Sequence, residues 1–308
     1  MIAMKHFTLL LLLFILNIIP VNAQFFFYND KYYDRDLLIE TGLGLGGMNC
    51  LTDLGGKKGF GKDFIKDLNI KNTRLSGSIY IAANYKSMVA LRLEGTIGKV
   101  VSYDSILKDF QPNDVDRYRY VRNLNSNSNI FDVMLVAEIH PLFIGAAYED
   151  PSRLSPYALA GIGFFSFNPR TKLNGQWYDL QPLHTEGQGF SEYPDRKPYK
   201  LLQINIPLGL GVKYEISPLF NARFEIVHRT LFTDYLDDVS TSYIDASLFP
   251  NYLPPSRASV AALLHDRRGE IEPTHIPHPG YERGDPKDND SFFTIQLKIG
   301  YTMRERRR

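Results

Sequence analysis

The chain has 308 residues, with 35 Lys and Arg against 34 Asp and Glu, and its apolar and aromatic fractions of 44% and 13% exclude a disordered chain. A single cysteine, Cys50, excludes an internal disulfide framework. A formal net charge of +1 supplies no basic field to attract phosphate, so no nucleic-acid partner is expected.

The first 23 residues read as a secretory signal peptide. Lys5 and His6 precede the apolar run Phe7–Ile19, and Val21 and Ala23 offer small side chains before a cut at Gln24. Cleavage leaves 308−23 = 285 residues with 34 basic and 34 acidic groups, since Lys5 is removed. Residues 24–35 then form a short N-terminal periplasmic segment. No later stretch approaches the ~18 consecutive apolar residues of a membrane helix. Membrane insertion therefore requires strands.

Alternation of period two supplies them in chain order. Leu37, Ile39, Thr41, Leu43 and Leu45 interleave with Leu38, Glu40, Gly42, Gly44 and Gly46. Ile79, Ile81, Ala83 and Tyr85 interleave with Ser78, Tyr80, Asn84 and Lys86, and Val89, Leu91 and Leu93 with Arg92 and Glu94. Phe131, Val133, Leu135, Ala137 and Ile139 alternate with Asp132, Met134, Glu138 and His140. Tyr157–Phe167 is apolar with glycines and has no assignable phase. The pattern returns over Leu202–Tyr214, Phe220–Ile226 and Phe293–Tyr301, giving eight candidate strands.

The connectors alternate in length as well. Tyr85–Met88, Pro141–Ser155 and Glu215–Pro218 are short; Cys50–Lys71, Asp104–Ser128, Asn168–Tyr199 and Thr233–Asn289 are long. An even strand number with short turns at one rim and long loops at the other predicts an all-β fold. That fold is an eight-stranded antiparallel transmembrane β-barrel over residues 36–303, with short periplasmic turns, four long extracellular loops and a basic periplasmic tail, 304–308. Its partners in the membrane are outer-membrane lipids.

The faces opposite the apolar ones carry Glu40, Glu94, Asp132, Glu138 and Glu225 together with Arg92, Lys213, Arg223, Arg229 and Lys298, and His140 besides. Five charges of each sign can pair inside a barrel, where an unpaired charge is costly. An eight-stranded barrel is filled by its own side chains, so solute diffusion is not expected.

The loops hold weaker signals. Asp234, Asp237 and Asp238 offer carboxylate oxygens to calcium, or else cap turns or pair with Arg229. His265, His275 and His278 are imidazoles without structural-zinc spacing. Ser240, Ser242 and His228 show no nucleophile–base spacing, so no catalytic residue, metal site or cofactor is expected. Gly42, Gly44, Gly46 and Gly47 lack the lysine and helix of a phosphate loop and read as small positions that permit close packing. Cys50 reads as a small apolar residue. The cations Arg304, Arg306, Arg307 and Arg308 offer a surface to an acidic partner.

Several segments together resemble the PorG-type outer-membrane barrels of Bacteroidota. They are Glu40–Asn49, Asp53-Leu54-Gly55-Gly56, Pro156–Gly163, Pro207–Tyr214, Asp234–Ser240 and Asp290–Phe293. Asp53, Gly55, Gly56, Asp234, Tyr235, Asp237 and Asp238 carry the more specific part. An aromatic residue and a glycine are usual before Asp53, where this chain has Cys50 and Thr52. The resemblance implies a non-enzymatic component of the type IX protein secretion system. It also implies two partners, the lipoprotein of the periplasmic ring and that lipoprotein's partner subunit. An OmpA-like structural or adhesion barrel working through its loops is the alternative.

Overall fold

The computed structural model describes residues 36–55, 69–108, 115–144 and 153–303. The expected signal peptide and periplasmic segment, Gly56, residues 145–152 of the Pro141–Ser155 turn and the Arg304–Arg308 tail lie outside the described residues.

The described residues form ten strands: β1 (Leu37–Leu51), β2 (Arg74–Tyr85), β3 (Val89–Tyr103), β4 (Asn125–Ile139), β5 (Leu154–Ser166), β6 (Arg170–Leu173), β7 (Gln176–Asp179), β8 (Leu202–Glu215), β9 (Phe220–Leu231) and β10 (Ser291–Thr302). Eight of them close a barrel in the order β1-β2-β3-β4-β5-β8-β9-β10, every neighbouring pair antiparallel, with β10 returning to β1. Closure leaves the barrel no free edge for another chain to pair with. Each barrel strand has 12 to 15 residues, enough to cross a bilayer at the usual tilt.

Three features differ from the sequence reading. The Asn168–Tyr199 connector contains the hairpin β6–β7, which extends the sheet beyond the barrel by pairing Arg170 with Asn127. Strand β4 begins at Asn125, six residues before the apolar alternation starts at Phe131. Its first residues, Asn-Ser-Asn-Ser-Asn, are polar on both faces and so read as loop, yet they pair with Lys99–Tyr103. The two other described long connectors are also structured. Asp104–Ser128 holds helix α1 (Val115–Arg122), and Thr233–Asn289 holds α2 (Phe249–Tyr252) and α3 (Pro255–His265).

The phase of β5 is settled by its neighbours. Ser155, Tyr157, Leu159 and Phe165 are buried, while Ala160, Ile162 and Phe164 are exposed. Glycines at 161 and 163 hid this phase. A Cβ at Gly161 would sit 2.0 Å from the Leu135 carbonyl oxygen, so the chains approach too closely there for any side chain. Opposite Gly161 stands Pro207, which has no N–H to donate, and the β5–β8 ladder omits the pairs between 161–162 and 206–207.

The turn from β2 to β3, closed by the Met88 N–H donating to the Tyr85 carbonyl at 3.1 Å, places its central residues Lys86 and Ser87 at φ of 49° and 56°, as a type I′ turn needs. Neither residue type favours that conformation, and Asn-Gly does. Replacing Lys86-Ser87 by Asn-Gly is expected to stabilise the barrel by about 0.5–1 kcal/mol, read as a raised urea midpoint in detergent micelles with an unchanged slope.

Candidate functional site: the charged interior and its cap

The alternating pattern puts charge inside and hydrocarbon outside. Thirty large apolar side chains on the eight barrel strands are exposed, Leu75, Leu210 and Leu297 by 72%, 69% and 66%. No carboxylate stands among these outward positions, and tyrosines aside the only ionisable groups there are Lys99 and His228, both toward the long-loop rim.

Inside, four carboxylates and four cations form one connected network. Arg92 sits 2.7 Å from Glu225, 2.9 Å from Glu138 and 3.2 Å from Glu94. Arg223 joins Glu138 at 2.9 Å to Glu40 at 2.7 Å, and Lys213 reaches Glu40 at 2.9 Å. Lys298 completes the circuit, 2.6 Å from both Glu94 and Glu225. Two phenols that the sequence reading did not single out fill the remaining acceptor sites. Tyr80 donates to Glu40 at 2.7 Å and Tyr157 donates to Glu225 at 2.8 Å. The Tyr80 ring also lies under the Arg223 and Arg92 guanidinium groups, 5.2 and 5.5 Å from its centroid.

A second interior layer lies nearer the long loops. Arg229 pairs with Asp132 at 3.1 Å and donates to the Thr294 hydroxyl at 2.6 Å, while Asn205 donates to the other Asp132 oxygen at 2.8 Å. Above it the barrel is closed by an apolar plug that includes Met48, Ile130, Phe165, Leu231, Leu236 and Phe292. Cys50 belongs to this plug, its Sγ 3.3 Å from the Ser102 hydroxyl. The barrel interior thus carries paired charges below and hydrocarbon above.

At the opposite, short-turn end, His140 Nδ1 lies 2.8 Å from the Ser155 hydroxyl and Nε2 3.4 Å from Glu138. This is the order of a Ser–His–Glu relay. Its hydroxyl is buried, and its carboxylate is committed to Arg92 and Arg223. The arrangement is structural, a polar end to the ion-pair network. Ser155 escaped the sequence reading because it falls in the expected Pro141–Ser155 turn, whereas β5 already starts at Leu154.

The long loops build a cap with its own core, in which Leu180, Leu183, Phe190, Ile244, Phe249 and Leu264 are buried. Two arginines tie it together. Arg122 of α1 grips Asp104 with two 2.8 Å bonds and donates to the carbonyls of Asp53 and Arg283. Arg283 in turn donates to Glu186 at 2.8 Å and to the Asp238 carbonyl at 2.7 Å.

The motif residues meet here. The Leu54 N–H donates to Asp237 across 183 positions of sequence, joining the Asp53–Gly55 segment to the Asp234–Ser240 segment. Asp53 accepts from the Asp285 N–H at 2.8 Å, and Asp237 also accepts from Val239. Asp238 accepts from Thr185 at 2.6 Å and Tyr199 at 2.7 Å, and Tyr235 donates to Glu186 at 3.3 Å. Gly55 has φ of +71°, and a Cβ there would lie 2.7 Å from the Tyr103 backbone nitrogen, which accounts for glycine at that position. Asp237 and Asp238 thus tie loop segments together, and Arg229 pairs with Asp132 rather than with any of the three loop aspartates.

Burial pushes several of these carboxyls up. Asp53 rises to about 8, from burial and then the Asp237 charge. Asp234 rises to about 9, from burial and then Asp53. Burial takes Asp237 to about 6 and Asp238 to about 7.

The remaining candidates do not converge. His265 is buried with Nε2 3.1 Å from the Ile244 carbonyl, and burial lowers its pKa. His275 faces Asp266 at 3.4 Å, and His278 packs on Tyr281. Ser240 donates its backbone N–H to Glu186, the Ser242 hydroxyl accepts from Arg196, and His228 stands on the outward face of β9. Among the described residues no group of three His, Cys, Asp or Glu side chains is arranged to hold a metal ion.

No family model matches this chain, and no curated protein matches it. Solved structures similar to it are outer-membrane barrels. They include Neisserial surface protein A, at 7% identity and a TM-score of 0.36, covering 87% of this chain and 98% of the other. Ail, the attachment invasion locus protein of Yersinia pestis, shows 9% identity and a TM-score of 0.35, covering 87% and 97%. OprG of Pseudomonas aeruginosa shows 9% identity and a TM-score of 0.35, covering 87% and 96%. Likenesses this distant say nothing about activity.

The network makes a graded prediction. Arg92→Met leaves Glu94, Glu138 and Glu225 short of a buried counter-charge and is expected to cost about 3–5 kcal/mol. Lys213→Met, whose side chain is 14% exposed and touches Glu40 alone, is expected to cost far less. Denaturant unfolding of both variants in the same micelles checks the order.

Proposed function

We propose that this chain is a non-conducting, non-enzymatic outer-membrane barrel that serves as a membrane anchor within the type IX protein secretion system. The observation that carries the reading is the inverted barrel: an apolar exterior without carboxylates around an interior of paired charges. Thirty exposed apolar side chains would be untenable in water, at roughly 1.5–3 kcal/mol each, and are at home in lipid. Tyr85, Tyr214, Phe220 and Tyr301 cluster at the short-turn rim, where aromatic rings favour the bilayer interface.

A plugged interior and a capped rim support anchoring over transport. The type IX assignment draws on the motif segments, which Leu54, standing between Asp53 and Gly55, joins by donating its N–H to Asp237. In that reading the short-turn rim faces the periplasm. The Pro141–Ser155 turn and the Arg304–Arg308 tail would meet the ring lipoprotein and its partner subunit there.

The test has two arms. Purified protein in planar bilayers is expected to give no conductance steps; regular ion steps would sink the anchor reading. A mild-detergent pull-down from native outer membranes is expected to recover the periplasmic ring subunits, and deletion of Arg304–Arg308 is expected to weaken recovery. A barrel recovered alone, in a strain that secretes normally without the gene, would favour a surface role for the cap instead.

A further inference from the structure

The seam between cap and barrel rim holds more negative charge than its cations can match. Asp53 follows β1, Asp234 and Asp237 follow β9, and Asp290 precedes β10, so the cluster joins three barrel strands to the cap. All four are buried or half-buried, Asp234 at 8% exposure and Asp290 at 3%. The basic side chains around them are already engaged, Arg122 with Asp104 and Arg283 with Glu186.

Asp234 decides the matter. Both of its carboxylate oxygens are sealed from solvent and no donor reaches them in hydrogen-bonding geometry, although the Ser240 hydroxyl beside it favours the charged form. A fully ionised carboxylate does not persist in that state; it takes a proton, a metal ion or a counter-charge. The counter-charges are spent, and no three carboxylates among the described residues converge on an ion. Protons remain.

We propose that the cap is latched to the barrel rim by protons held in the Asp53, Asp234, Asp237 and Asp290 cluster, and that it loosens as those protons leave.

The surroundings support this from every side. Glu186, from the β7–β8 connection, raises Asp53 and Asp234, while Arg122 of α1 lowers Asp53 and Asp237. Asp290 is driven well above the usual carboxylate range by burial and then by Asp237, Asp234 and Asp53. The Cys50 thiol of β1 lies within reach of the Asp237 charge. Tyr235, Asp238, Arg283 and Asp285 complete the shell, Arg283 and Asp238 approaching to 4.0 Å. These folded-state acids bind protons that unfolded aspartates have already lost. Closure is therefore fully supported below the unfolded aspartate pKa near 4, and weakens as pH rises through about 6 to 9.

The test is hydrogen exchange on the full chain in lipid nanodiscs between pH 5.5 and 8.5, corrected for intrinsic exchange rates. The reporters are the amides of Leu54, Leu236, Val239 and Asp285, each of which donates to one of the four carboxyls or its neighbour. Their protection is expected to fall with pH, by up to tenfold per pH unit for each proton released, while barrel-strand amides hold constant. Asp234→Asn mimics the protonated form and is expected to flatten the profile and keep the cap closed at pH 8.5; Asp53→Asn serves if that variant does not fold. A profile flat in the native protein, or unchanged in both variants, would overturn the proposal. So would recovery of protection at pH 8.5 on adding millimolar calcium, which would make the cluster a cation site.

Discussion

Everything in this barrel depends on pairing charges that have no access to water. The exterior must be hydrocarbon to meet lipid, so period-two alternation turns the carboxylates of the barrel strands inward. Once there, a lone carboxylate or guanidinium would cost several kcal/mol of lost hydration. The chain meets that constraint with a closed circuit in which each acid of the main layer touches at least two partners and Arg92 bridges three. Tyr80 and Tyr157 take the acceptor positions the cations leave. A network of this kind is rigid because no member can leave without stranding another.

That rigidity divides the molecule into layers. Ion pairs fill the half nearer the short turns, an Arg229–Asp132 layer lies above them, and an aromatic and aliphatic plug closes the long-loop half.

The two rims are unequal. The short-turn rim presents tight hairpins and aromatic rings, whereas the long connectors condense into a cap with a separate apolar core. Arg122 and Arg283 hold that cap by satisfying backbone carbonyls from distant segments, which is how loops this long avoid leaving buried acceptors unpaired. At its seam with the barrel, acids outnumber their bases. The interior is balanced and fixed; the seam is unbalanced and responsive to its medium.

The sequence by itself determined the number of barrel strands, their faces and the identity of the interior charges, because side-chain direction in a strand follows residue number with period two. Resemblance to a barrel family singled out Asp53 and the Asp234–Ser240 segment separately, and the fold joined them through Leu54 and Asp237. The sequence missed the phase of β5, where Gly161 and Gly163 carry no side chain to reveal a face, and the start of β4, where Asn and Ser stand on both. Which charge meets which was decided only by closure, since the stagger between strands sets whether Glu138 faces Arg92 or a gap. The cap was likewise unreadable. Its helices are short, their apolar residues irregularly spaced, and its aspartates take their character from neighbours up to 232 positions away. Burial and proximity set the protonation of such groups, and both are properties of the folded chain alone.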